Sequence, residues 1–168
     1  LPDVHLAHGT GEGYGPQGEV LFESRPCTAQ HTASLVELAS VHVGCNNAHL
    51  IIEDGSWRVA GDPTEGALLC AGHKAGGNKE AMEKSHPKLH EIPFDSERKR
   101  RTVIRRTPDG RLRAFINGAP DDLLRLCTHL YTETGVRPMN DDDRRVITEQ
   151  NTAMAAKALR VLGSTFRD

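Results

Sequence analysis

Aromatic side chains are scarce: one Trp, two Tyr and four Phe make up 4% of 168 residues. So few rings exclude a long base-stacking surface and give each ring a defined place in the core or at a site. The four cysteines, Cys27, Cys45, Cys70 and Cys127, form no CxxC pair. A disulfide frame is therefore not expected, and reduced, mostly buried thiols in a cytosolic setting are. No apolar run approaches the roughly 18 residues of a membrane span, and no signal-peptide pattern opens the chain. The start Leu1-Pro2-Asp3 lacks an initiator Met, as expected of an excised or processed piece. No charge sign dominates: 21 basic and 23 acidic residues give a net −2, which argues against a dedicated nucleic-acid binder. Phosphate loops of the GxxxxGK[ST] type and GxSxG elbows are both missing.

What is present reads as a globular chain, with 37% hydrophobic and 26% charged residues, of a size for one domain. Residues 1–18 are rich in Gly, His and Pro. Gly13, Gly15 and Gly18 match the dinucleotide string GxGxxG, but Pro16 interrupts it and a strand at 19–22 follows, so a flexible connector is the better reading. Leu35, Leu38, Ala39 and Val43 predict a helix over 32–43. Strands near 49–52 and 57–60 are joined by Asp54-Gly55, a tight-hairpin signal. Asp62-Pro63-Thr64-Glu65 marks a helix start, with Asp62 as cap and Pro63 at the first helical position. Residues 73–88 read as a polar loop insertion with a short helix. Strands are expected at 90–94, 102–106 and 112–116, the last two joined through Asp109-Gly110. A helix is expected over 120–130, and a long one from Asp141 with Val146, Ile147, Met154, Ala158, Leu159 and Leu162 on one side. A further strand begins at Thr165-Phe166. Hairpins mixed with helices, without βαβ alternation, predict an α+β fold: a twisted antiparallel sheet flanked by helices.

Two patterns carry possible chemistry on their own. His42, Cys45 and His49 have spacings that suggest a metal, but a fourth ligand is missing and ordinary core and surface roles are favoured. Arg98, Lys99, Arg100, Arg101, Arg105 and Arg106 place six cations in nine residues. They form either a solvated strand face or a cationic wall for phosphate. Phe94, just ahead of the run, is by itself a core residue or a ring that stacks on a base while Lys99 meets phosphate.

Three further segments shift the balance between these readings. They are Gly61-Asp62-Pro63-Thr64-Glu65-Gly66-Ala67-Leu68-Leu69, Ile92-Pro93-Phe94-Asp95-Ser96-Glu97-Arg98-Lys99 and Asn117-Gly118-Ala119-Pro120-Asp121. In this order, with Ala158-Leu159-Arg160-Val161-Leu162 after them, they resemble the nucleotide-binding domain of type II P-type cation-transporting ATPases, and most closely its prokaryotic, calcium-pump-like members. The stretch from Thr10 to Val20 is similar to the connector that follows the phosphorylation segment in that family. The resemblance covers nearly the whole chain, and four segments in order are far more specific than any one.

The resemblance implies a single nucleotide-binding domain over 1–168 that holds the adenine end of ATP and delivers its γ-phosphate to an aspartate elsewhere. By match to the motifs, Glu65 lies near the adenine amino group, Phe94 stacks on the ring and Lys99 lines the pocket. Gly118 lets the base approach the backbone, and Arg160 reaches towards the phosphates. Asn117 stands where the family usually has lysine. It donates hydrogen bonds but brings no charge, so either phosphate binding is weaker or Lys99 and Arg101 supply the charge. The Asp-Lys-Thr-Gly-Thr phosphorylation segment, the magnesium-binding aspartates and the membrane helices of the family do not occur in this chain. It is therefore expected to bind ATP, as Mg-ATP in the intact pump, without completing the reaction. Its expected partners are the phosphorylation and actuator domains of the same membrane protein, on the cytoplasmic side, with the chain itself a monomer. Stacking worth roughly 1–3 kcal/mol and few phosphate contacts predict a dissociation constant around millimolar, about 4 kcal/mol. Two rivals remain. A polyanion binder would use residues 98–106, with binding that falls steeply with salt. A ligand-free interaction domain would use Phe94 only for packing, and Glu65 and Arg160 only as a helix-start carboxylate and a surface residue.

Overall fold

The computed structural model describes residues 7–22, 24–27 and 33–168; the expected helix start at Thr32 and the opening Leu1-Pro2-Asp3 lie outside them. Strands β1 (Ala7–Gly9), β2 (Val20–Phe22) and β3 (Arg25–Pro26) form a small antiparallel sheet. Helix α1 (Ala33–Gly44) leads into the hairpin β4 (His49–Glu53) and β5 (Ser56–Ala60). Asp54 and Gly55 both take positive φ, 51° and 73°, as a two-residue hairpin turn requires.

Helix α2 (Pro63–Lys74) starts as its sequence dictates: Asp62 Oδ1 accepts from Thr64 N at 2.8 Å and Glu65 N at 3.0 Å. The polar stretch after it holds the expected short helix, with less loop than the composition suggests. α2 runs on to Lys74, and α3 (Lys79–Ser85) buries Lys79 and Met82. Then come β6 (Lys88–Asp95), β7 (Arg100–Arg106) and β8 (Leu112–Gly118), followed by α4 (Pro120–Leu126). The helix expected as far as Leu130 stops at Leu126. Cys127 is already extended, and β9 (His129–Thr132) pairs with β10 (Gly135–Pro138) in a hairpin that periodicity does not reveal.

Helix α5 (Asp141–Ala155) has a capping box between Asn140 and Asp143. It ends before Ala158, which takes φ of 57°. The helical spacing of Ala158, Leu159 and Leu162 is thus coincidental, and Leu159 is exposed. This break brings β11 (Gly163–Arg167) back beside β8.

The main sheet has the order β11-β8-β7-β6, with every pairing antiparallel. Because side chains alternate along a strand, Arg101, Val103 and Arg105 of β7 share one face with their cross-strand neighbours Asn117, Phe115 and Arg113. The core lies against this face: Val41, Val43, Cys45, Leu69, Met82, Val103 and Phe115, with Leu50 and Phe166 packed on it. The architecture is α+β, with helices and antiparallel sheets.

His42 on α1 packs towards Gly72 of α2, and burial pulls its pKa down to about 4 from the ordinary 6.5. Its neutral form is the one that fits the fold. This contribution to stability is therefore full above about pH 6.5 and is lost as pH falls towards 4. Chemical denaturation across this window is expected to show that loss, and His42→Leu to flatten it.

Candidate functional site

The register of the main sheet brings the motif segments together. Asp95 of β6, Arg100 of β7, Gly118 of β8 and Gly163 of β11 stand side by side in one row across the sheet. Phe94 and Lys99 each sit one residue before this row, and Arg160 three residues before it. Glu65 arrives from the first turn of α2 and pairs with Arg101, one step along β7. Segments nearly 100 residues apart in sequence, 65 to 160, so meet at one end of the sheet.

Each side chain has a local reason for its position. β6 is an edge strand, and between Ile92 and Asp95 it carries one residue more than β7 does opposite. This bulge contains Pro93, which only an edge or a bulge tolerates, and a bulge redirects side chains. Phe94 consequently stands 65% exposed, which removes the core reading of this ring.

The turn after it is closed by Asp95, whose Oδ1 accepts from Glu97 N at 3.0 Å and Arg98 N at 2.8 Å. Lys99 N donates to Asp95 O at 2.7 Å and Lys99 itself takes φ of 52°, a conformation disfavoured for a residue with a Cβ. Its ammonium lies 3.4 Å from Asp122 of α4.

Gly118 is crowded by the chain itself. A Cβ there would stand 2.5 Å from the Lys99 carbonyl oxygen and 2.9 Å from Arg100 Cα. Arg160 is exposed and donates from Nη1 to Thr64 Oγ1 at 3.0 Å, beside Glu65.

Arg101 and Asn117 are turned inward. The Arg101 side chain is 9% exposed and bridges two carboxylates, Glu65 through Nη1 and Glu91 through Nη2 at 2.8 Å. Its charge is matched within the chain, so it does not make up for a missing lysine at 117. Glu65 is not the second half of a cap either. Besides Arg101, its Oε2 accepts from Asn47 N at 2.7 Å. Asn117 donates to Cys45 O at 3.3 Å and accepts from Ser164 Oγ at 2.7 Å. Beneath it, burial pushes the Cys45 thiol up to about 11, which makes it an inert core thiol.

The basic run is not one surface. Arg105 is 2% exposed and donates to Gly44 O and His86 O. With Arg101 also buried, the cationic wall expected over 98–106 is broken by strand alternation. Of the spacing His42, Cys45, His49, the first two are enclosed and the third sits exposed on β4. Among the described residues no three His, Cys, Asp or Glu side chains are placed to hold a metal.

Sequence reasoning did not single out Glu91, Asn47, Thr64 or Asp122. Glu91 lies opposite Val103 and reaches Arg101 only diagonally, a relation that no spacing within one segment encodes.

A family model described as the P-type ATPase cytoplasmic domain N matches residues 34–168. The chain belongs to this family. It is 33% identical over 158 residues to a calcium-transporting ATPase of Bacillus subtilis, covering 94% of this chain and 18% of that protein. It is 37% identical over 123 residues to calcium-transporting ATPase 1 of Bacillus cereus, covering 73% of this chain and 13% of that one. A probable cation-transporting ATPase F of Mycobacterium tuberculosis is 32% identical over 160 residues, 92% of this chain and 17% of its own length. The chain thus spans less than a fifth of each of these relatives. No helix among the described residues is long and apolar enough to cross a membrane. As an N domain of a cation-transporting P-type ATPase family, its exposed Phe94 and crowded Gly118 lie in the segments that carried the resemblance.

Two substitutions separate site from scaffold. Phe94→Ala is expected to change stability by no more than about 0.5 kcal/mol, as at an exposed position, measured by urea denaturation. Gly118→Ala is expected to cost about 1–3 kcal/mol, since the new methyl meets backbone.

Proposed function

We propose that this chain is the ATP-binding domain of a cation-transporting P-type ATPase. It holds adenine and presents the γ-phosphate to an aspartate of a neighbouring phosphorylation domain. The observation that carries this reading is the convergence of Glu65, Phe94, Lys99, Gly118 and Arg160 at one end of the main sheet. Phe94 offers an exposed ring for stacking. Glu65 offers carboxylate oxygens, which can only accept hydrogen bonds and so suit an exocyclic amine. Lys99 and Arg160 are exposed cations one and three residues before this row and suit the phosphates. Asn117 is a structural neighbour of the pocket, not a contact. Magnesium would come as a companion of the nucleotide's phosphates and offset their charge.

The chain's own part is then binding and orientation, with the phosphorylation and actuator domains of the same membrane protein as its partners on the cytoplasmic side, and with the chain acting as a monomer. Phosphoryl transfer rests chiefly on positioning and charge, so a domain that only orients the nucleotide contributes directly to rate. The names of two of the relatives cite calcium and that of a third cites a cation; we assign transport of a cation.

NMR titration of the chain with ATP, and with GTP and AMP for comparison, tests this. Shifts are expected at Glu65, Phe94, Lys99 and Gly118, saturating around millimolar ATP, and Phe94→Ala is expected to abolish them without unfolding the chain. Absence of shifts at ~10 mM ATP, well past that affinity, or binding that survives Phe94→Ala, would overturn the assignment.

A further inference from the structure

Glu65 does not stand alone at the site. Its Oε1 is paired with Arg101 Nη1 and its Oε2 accepts from Asn47 N at 2.7 Å. Arg101 is in turn held by Glu91 at 2.8 Å. Glu91 accepts from Asn47 Nδ2 at 3.1 Å and from Lys88 Nζ at 3.2 Å. Asn46 Nδ2 fixes the backbone carbonyl of Glu65 at 2.7 Å. A glutamate on the first turn of a helix has three side-chain torsions to sample; here both oxygens and the main chain are tied down. The Glu65 side chain still keeps 20% of its surface exposed, and each carboxylate oxygen retains acceptor capacity beyond its protein donor.

We propose that Arg101 and Glu91 are positioning residues that hold the Glu65 carboxylate fixed as a hydrogen-bond acceptor and thereby set the base selectivity of the pocket. This rests on the nucleotide reading given above. Adenine presents an amine donor at its six position, whereas guanine presents a carbonyl acceptor there. A fixed carboxylate rewards the first and repels the second. A carboxylate free to swing away would lose much of that discrimination, because a site rejects an analogue strongly only when its polar groups cannot escape the mismatch. Arg101 is unsuited to phosphate, since each of its terminal nitrogens already carries a carboxylate and the side chain is 9% exposed.

The test is a set of dissociation constants for ATP, AMP and GTP, measured by NMR on the chain and on Arg101→Met, Glu91→Gln, Glu65→Gln and the double variant Glu65→Gln/Arg101→Met. Arg101→Met is expected to weaken ATP and AMP by the same factor, about tenfold, and to lower the preference for ATP over GTP by a similar factor. In the Glu65→Gln background the same change is expected to leave that preference where it was, since the coupled partner is gone. Glu91→Gln, nearly isosteric, shifts the preference in the same direction by less, and carries the test should Arg101→Met fail to fold. A loss confined to ATP and GTP with AMP unaffected would assign Arg101 to phosphate and overturn the proposal. An unchanged ATP/GTP ratio in both Arg101→Met and Glu91→Gln would overturn it while leaving the nucleotide pocket intact. Absence of nucleotide binding by the unaltered chain would overturn both.

Discussion

A guanidinium withdrawn from water between two carboxylates fixes where helix α2 meets the main sheet. Removing an ion from water costs several kcal/mol even after relaxation, and only close pairing offsets it. Arg101 meets that condition with one carboxylate from α2, Glu65, and one from β6, Glu91. The three elements are therefore locked to one another by a directional contact and not by apolar area alone. The same device recurs nearby. Arg105 lies inside the fold on the Gly44 and His86 carbonyls, and Lys79 donates to Ala48 O at 2.6 Å. Gly44 closes α1, so Arg105 brings positive charge to a helix C-terminus, where unsatisfied carbonyls attract it. A chain with few aromatics thus gains definition from buried cations around a modest aliphatic core.

That scaffold leaves the opposite requirement to the site. On the proposed reading a stacking ring must stay exposed on an ordered backbone, and the bulge on edge strand β6 gives Phe94 both. Lys99 is held in a left-handed conformation by the turn that Asp95 closes. Gly118 is required because β8 passes so close to the Lys99 carbonyl that no side chain fits. The exposed groups are therefore rigid at the backbone and open at the tips. Such a surface suits the weak, readily reversed nucleotide binding proposed above.

Much of the local structure was legible in the chain because it depends on near neighbours. The Asp62 cap, the Asp54-Gly55 turn and the strands around 102–106 and 112–116 follow from hydrogen bonds and side-chain alternation within a few residues. Local signals failed where distant segments intervened. Leu159 and Leu162 carry helical spacing, yet α5 stops at Ala155, because the chain must turn back for β11 to complete the sheet beside β8. The hairpin β9–β10 was hidden behind a leucine pattern that reads equally well as helix. The run 98–106 looked like one cationic surface, but alternation along β7 sends Arg101 and Arg105 inward.

The family, the α+β class and the segments that meet at one end of the main sheet were all legible in the linear chain, because motif order and short-range preferences are properties of it. It could not determine what Glu65, Arg101 and Asn117 do with their polar groups. The packing of the folded chain gives Arg101 to Glu65 and Glu91 and lets Asn117 bridge Cys45 and Ser164. The physical reason is that a buried charge or amide takes whichever partner the packing of distant elements brings within hydrogen-bonding distance, and that partner is recorded nowhere in the residue's own neighbourhood.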